Sequence, residues 1–172
     1  DKEAKGKRGG TLRVRIVSAN GLKAADSDGL SDPYIKVIVG KRVQKTAVIK
    51  KTLNPEFDSE LLFHFDDLST LLKCGSVVFK AYDWDRYGLN DPIGKASLPL
   101  DSMQQALTYG DSVECAISLN DKQKTPGQVI LSLDWRPDVN PQLFTHMTWY
   151  PDWEPPEKIE PLYVPPDVPP KP

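Results

Sequence analysis

Ala25-Asp26-Ser27-Asp28-Gly29-Leu30-Ser31-Asp32-Pro33-Tyr34-Ile35-Lys36-Val37-Ile38-Val39 joins two patterns end to end. Its first eight residues hold three aspartates, two serines and a glycine, the composition of a turn-rich loop. Beyond Pro33 the period becomes two, with Ile35, Val37 and Val39 alternating with Lys36 and Ile38, as in a half-buried strand. A second acid-rich segment, Asp83-Trp84-Asp85-Arg86-Tyr87-Gly88-Leu89-Asn90-Asp91-Pro92, also sits between two strand-like runs.

Working outward, the same alternation opens the chain at Thr11 to Ala19, where Leu12, Val14 and Ile16 flank Arg13 and Arg15. Further strands are expected over Val43 to Lys50, Glu60 to Phe65, Ser76 to Tyr82, Ile93 to Leu98, Ser112 to Leu119 and Gln128 to Trp135. Turn signals separate them, among them Asn20-Gly21, Asn54-Pro55 and Pro126-Gly127. Leu68 to Lys73 behind Asp67, and Ser102 to Thr108 behind Asp101, read as short capped helices. Eight short strands at this spacing predict an all-β, eight-stranded antiparallel sandwich.

The 172 residues suit one core plus an appendage. Eleven of the 16 prolines follow Arg136, which predicts a domain over 10–136, a basic lead-in over 1–9 and a Pro-rich acidic tail or linker over 137–172. The net charge of −2 hides a division, because residues 137–172 carry six acids and two bases. Residues 33–51 instead hold six bases (Lys36, Lys41, Arg42, Lys45, Lys50, Lys51) and no acid. No apolar run reaches a membrane span, and no signal peptide follows the start at Asp1, so a soluble, cytoplasmic segment of a longer protein is expected. Two cysteines, Cys74 and Cys115, make no disulfide framework. His64 and His146 neighbour no convincing nucleophile and there is no glycine-rich phosphate loop, so no enzyme is expected. Aromatic residues do not interleave the basic run, which argues against nucleic acid.

Six aspartates on two loops, brought to one end of a sandwich, would form a cup of like charges. A pair about 4 Å apart repels by roughly 4 kcal/mol at an effective dielectric near 20, and a cation relieves that strain. Oxygen-only donors favour calcium over zinc, and flexible loops favour it over magnesium. An EF-hand loop starting at Asp83 fails, with Tyr87 and Gly94 in place of its fifth and twelfth ligands and a proline at Pro92.

The segments Ser31-Asp32-Pro33-Tyr34-Ile35-Lys36-Val37, Lys51-Thr52-Leu53-Asn54-Pro55, Tyr82-Asp83-Trp84-Asp85 and Asn90-Asp91-Pro92-Ile93-Gly94 together resemble the C2 domains of protein kinase C, the synaptotagmins and the extended synaptotagmins. The resemblance covers Gly10 to about Arg136. It implies calcium held by Asp26, Asp32, Asp83, Asp85 and Asp91, with the backbone carbonyls of Ala25 and Trp84. A complete set of five implies two ions or three, although Gly88 stands where some members place a serine ligand for the weakest position. Starting directly with the strand before the first acidic loop resembles the permuted, type II strand order.

The resemblance further implies calcium-dependent docking on anionic phospholipid membranes as a peripheral protein, with Leu30, Tyr87 and Leu89 entering the interface. It also implies a phosphoinositide-binding face at Tyr34, Lys36, Lys45, Tyr82 and Asn90, where Ala47 replaces one lysine of the family pattern. The alternative is a protein-interaction module, its Pro165-Pro166-Asp167-Val168-Pro169-Pro170 segment offered to an SH3- or WW-type partner. The aromatic segment from Phe144 to Trp153 is expected to fold back on the sandwich.

Overall fold

The computed structural model describes residues 9–138; the expectations for Phe144 to Trp153, for the Pro165 to Pro170 segment and for the start of the lead-in lie outside them. In chain order the elements are β1 (Gly10–Asn20), β2 (Pro33–Val39), β3 (Arg42–Lys45), β4 (Glu56–Phe65), α1 (Leu68–Leu72), β5 (Ser76–Asp83), β6 (Asp91–Pro99), α2 (Gln104–Tyr109), β7 (Val113–Ser118) and β8 (Gln128–Pro137). They form two four-stranded sheets, ordered β4-β1-β8-β7 and β3-β2-β5-β6, with antiparallel pairing throughout.

Period two decides which side chains enter the core. Leu12, Val14 and Ile16 of β1 are fully buried, as are Ile35, Val37 and Val39 of β2, while Arg13, Arg15 and Lys36 point away. Phe63 and Phe65 of β4, Phe79 of β5, and Leu131 and Leu133 of β8 complete one cluster shared by both sheets. Each such side chain contributes about 1.5–3 kcal/mol by leaving water. A bulge at Val17 shifts the β1 register against β8 by one, so the buried series passes from Ile16 to Ala19. Gly10 is required where Trp135 crosses β1, since a Cβ there would overlap the indole.

The strand expected over Val43 to Lys50 stops at Lys45. Thr46 still donates its N–H to the Ile35 carbonyl at 2.9 Å, but its hydroxyl, not its carbonyl, accepts from the Ile35 N–H at 2.9 Å. That side-chain substitution releases the backbone from the ladder. α1 forms as expected, with Asp67 Oδ1 accepting from Thr70 N at 2.6 Å. Asp101 does not cap α2; it lies in a 3-10 turn, Asp101–Met103, that precedes the helix.

On the face of the β1 sheet opposite the core, Asp134 joins both its neighbours. Its oxygens accept from Arg13 Nε at 2.8 Å, Arg13 Nη2 at 3.0 Å and Arg136 Nε at 2.9 Å, and its side chain is 8% exposed. Burial alone would raise this carboxyl, but the two guanidinium groups overcome it and hold it below the usual range. The contribution is therefore present above the unfolded value near 3.9 and is lost as pH falls through the depressed folded one. Asp134→Ala is expected to cost about 2 kcal/mol in urea denaturation at pH 7. The gap from wild type should narrow below about pH 4.

Candidate functional site

The antiparallel register of the β2 sheet gathers its acids. Pro33 pairs with Asp83 and Asp83 with Asp91, so the start of β2, the end of β5 and the start of β6 meet at one end. The Asp32 N–H donates to Asp83 Oδ1 at 2.5 Å, and the Trp84 N–H donates to the Asp32 carbonyl at 2.9 Å. Asp83 is 4% exposed. Burial pushes its carboxyl up, and the charges of Asp26, Asp32 and Asp91 push the same way against the Asp32 hydrogen bond. Four of the five expected carboxylates therefore share one field.

Loop structure holds them there. The Asp26 N–H donates to the Leu30 carbonyl at 3.0 Å and the Gly29 N–H to the Asp26 carbonyl at 3.1 Å, closing a turn across which Ala25 N also reaches Leu30 O. Ser31 is fully buried, donating from Oγ to the Lys23 carbonyl at 2.9 Å and accepting from Ala25 N at 3.0 Å. Sequence reading passed over Ser31 because a serine in an acidic turn carries no signal of burial. Asp85 behaves differently from the other four. Its Oδ1 accepts from Tyr87 N at 2.9 Å, and its carboxylate lies where a side chain at Gly88 would strike it. Among the described residues, no three His, Cys, Asp or Glu side chains form a ready-made metal cage.

A lysine stands at this cluster. Lys50 Nζ lies 3.0 Å from Asp32 Oδ2 and 3.4 Å from the centre of the Trp84 ring, and Lys51 N donates to Asp32 Oδ1 at 2.7 Å. Burial would raise the Asp32 carboxyl, but these partners hold it below its ordinary value. At the loop tip, Tyr87 is 88% and Leu89 92% exposed, whereas Leu30 is partly buried.

The five residues expected on the basic face come together. Tyr34 and Tyr82, paired across β2 and β5, stack with centroids 5.5 Å apart. Lys36 lies 5.1 Å from the Tyr82 ring centre, Lys45 lies 6.0 Å from that of Tyr34, and Asn90 Nδ2 donates to Tyr34 Oη at 2.9 Å. Register adds two lysines that sequence reading missed. Lys45 pairs with Lys36, Lys36 with Lys80, and Lys80 with Lys95, a row crossing all four strands. Period two over Ser76 to Tyr82 already places Lys80 beside Tyr82; the place of Lys95 depends on strand pairing.

Two antiparallel four-stranded sheets with acidic loops gathered at one end define the class, a β-sandwich module. The C2 domain model matches residues 10–125, and the chain belongs to the C2 domain family. It is 32% identical over 136 residues to human synaptotagmin-7, covering 76% of this chain and 32% of that protein. It is 31% identical over 129 residues to a probable serine/threonine-protein kinase of Dictyostelium discoideum, covering 75% of this chain and 13% of the kinase. The chain thus spans a third or less of these relatives. A C2 domain of plant extended synaptotagmin 1 superposes with a TM-score of 0.63 at 25% identity, over 76% of this chain and 97% of that one. The calcium-bound tandem C2 domains of extended synaptotagmin 2 share the fold, with a TM-score of 0.59 at 22% identity over 73% of this chain and 45% of that one. C2 domains are in general membrane- and phospholipid-binding modules. No helix among the described residues is long and apolar enough to cross a membrane.

Because the Asp83 carboxyl is raised, its ionisation costs stability as pH rises through its folded value, and that cost is absent below its unfolded one. Asp83→Asn keeps an oxygen for the Asp32 N–H but removes the charge. In chelator at pH 7 its melting temperature should rise by about 3–6 °C; an unchanged or lower value in thermal denaturation would show that the four charges are not in conflict.

Proposed function

We propose that this domain binds anionic phospholipid membranes in a calcium-dependent way as a peripheral protein of the cytoplasmic side. The observation that carries the reading is the buried Asp83 carboxylate facing Asp26, Asp32 and Asp91. The donors are all oxygens, with no imidazole or thiolate beside them among the described residues, and this set fits a hard cation of flexible coordination. Asp26, Asp32, Asp83, Asp85 and Asp91, with the carbonyls of Ala25 and Trp84, would hold two calcium ions or three. Calcium bound there supplies positive charge and open coordination positions for phosphate or carboxylate oxygens of lipid.

The chain's own groups then set the response. Lys50 pairs with Asp32 at 3.0 Å and would have to give up that contact for both Asp32 oxygens to turn to an ion. The Asp85 carboxylate leaves its turn with Tyr87, a hydrogen bond at an exposed loop that costs little to exchange. Tyr87 and Leu89 supply the apolar tip, while Leu30 remains partly covered. Tyr34, Lys36, Lys45, Tyr82 and Asn90 form a second contact suited to a phosphoinositide head group, at roughly 1 kcal/mol for each lysine near an anionic surface. The permuted type II strand order is part of this proposal, supported by β1, the first strand, leading directly to the first acidic loop while pairing with both β4 and β8. The working division is a lead-in at 1–9, the C2 domain at 10–136 and the Pro-rich tail at 137–172.

Co-sedimentation with phosphatidylserine vesicles tests this directly. Wild type should pellet with calcium and remain in solution with chelator, and Asp83→Asn with Asp85→Asn should remain in solution in both. Equal pelleting with and without calcium would overturn the switch and favour a constitutive lipid or protein contact. Lys50→Met should tighten calcium binding by about threefold in titration calorimetry, the size of one partly exposed ion pair.

A further inference from the structure

Four strands lie at sheet edges, β4 and β7 in one sheet and β3 and β6 in the other. An open edge is a template for another strand, and folded proteins blunt it with shortness, charge, proline or a bulge. Three of these edges are blunted. β3 has four residues and bears Arg42 and Lys45. β4 bulges at Asp58, held at φ 43°, between Glu56 and Glu60. β6 carries Pro92 and Pro99 and bulges at Ile93. β7, Val113-Glu114-Cys115-Ala116-Ile117-Ser118, has no proline, glycine, lysine, arginine or bulge, and Glu114 is its one charge.

Two hydrogen bonds show which backbone groups of β7 face outward. Leu119 N donates to the Gly127 carbonyl at 2.8 Å, in register with the β7–β8 ladder, so Val113, Cys115 and Ile117 also turn their N–H and C=O toward β8. Asn120 N turns the other way and donates to the Lys95 carbonyl at 2.7 Å, which occupies the outward side at that point. Glu114, Ala116 and Ser118 share the outward direction, and no hydrogen bond reaches their backbone groups among the described residues. Their side chains are exposed, while those of Val113, Cys115 and Ile117 are half-buried against the core. The loop that follows holds the strand in place. Asp121 is buried and accepts from Gln123 N at 3.0 Å, Gln123 Nε2 at 2.8 Å and Gly127 N at 2.8 Å, and Gln123 Nε2 also donates to the Gly21 carbonyl at 3.0 Å.

We propose that β7 pairs with β7 of a second copy of this chain, antiparallel about a two-fold axis at Ala116, joining two four-stranded sheets into one. Ala116 then faces Ala116 of the second copy, and Glu114 and Ser118 face Ser118 and Glu114. Each facing pair exchanges two backbone hydrogen bonds, so every outward group of the strand is satisfied. The sequence selects this register. Centring on Glu114 would oppose two like charges, and centring on Ser118 would call on Asn120, whose N–H is committed to Lys95. On the core side Cys115 meets Ile117 of the second copy, covering half-buried apolar groups. One strand from each copy makes a small interface, so the dimer is weak and forms at high concentration. It requires neither calcium nor lipid, because no aspartate of the acidic end takes part.

Sedimentation velocity of the full chain in chelator, from about 10 μM to about 1 mM, reads the association. Wild type should move from monomer toward dimer across that range. Ala116→Lys sets two lysines opposite each other on the axis and should weaken association by about tenfold or more. Ser118→Lys sets each lysine opposite Glu114 of the second copy and should tighten it by about threefold. Both side chains are exposed, and circular dichroism and melting temperature verify that the variants are folded. Wild type remaining monomeric at the highest concentration would overturn the proposal, as would Ala116→Lys associating like wild type or Ser118→Lys associating no more tightly. A cross-linking arm reads the same axis in a chain carrying Cys74→Ala and Cys115→Ala. There Ala116→Cys places two Cα atoms about 5.5 Å apart, within disulfide reach, and mild oxidation should link the copies much faster than in Leu62→Cys, on the solvent face of the same sheet. Equal rates for the two would count against the pairing.

Discussion

The hydrogen bond from the Asp32 amide to the buried Asp83 carboxylate ties the loop before β2 to the end of β5, and the acidic end is built around it. It holds the Asp83 carboxylate against the backbone of a second acidic residue at one end of the sandwich. The Trp84 N–H returning to the Asp32 carbonyl completes the clamp. With β5 paired in turn to β6, Asp91 is drawn to the same place. Repulsion is thus imposed by the backbone ladder rather than chosen by the side chains, which is how a folded chain can store a site for a cation.

The same ladder does the opposite a few residues away. The β3-β2-β5-β6 sheet bears Lys45, Lys36, Lys80 and Lys95 in one row across its solvent face. Acid at the end of the strands and base along their face belong to a single sheet, separated by the stacked Tyr34 and Tyr82 rings. Lys50 spans the division, making its ion pair with Asp32 beside the Trp84 ring. Among the described residues, neither like-charge group has another ion pair within it apart from that contact. On the proposed function, an anionic membrane would offer a partner to each, phosphate oxygens to a bound cation and anionic head groups to the lysines.

Much of this was legible in local pattern. Alternation at Leu12, Val14 and Ile16, and again at Ile35, Val37 and Val39, named the buried faces because side chains in a strand alternate by geometry alone. Composition marked the two acidic segments and the family resemblance singled out Asp26, Asp32, Asp83 and Asp91, while strand register brings the two loops to one end. The strand past Lys45 was misread because Val43 to Lys50 has strand-like composition, whereas its end is set by the Thr46 hydroxyl meeting Ile35 from another strand. Asp101 was misread for a related reason, as a 3-10 turn absorbed the residue that resembled a cap.

By itself the sequence determined the strand-rich class, the inward faces and the acidic loops, all consequences of periodicity and composition within about ten residues. Tertiary structure decided which residues became neighbours. The encounter of Lys50 with Asp32, the row ending in Lys80 and Lys95, the burial of Ser31 and the loop anchored by Asp121 beside Lys23 all depend on contacts across distant segments. The physical reason is that an antiparallel ladder fixes partners by register, and a register is a relation between two strands that neither carries alone.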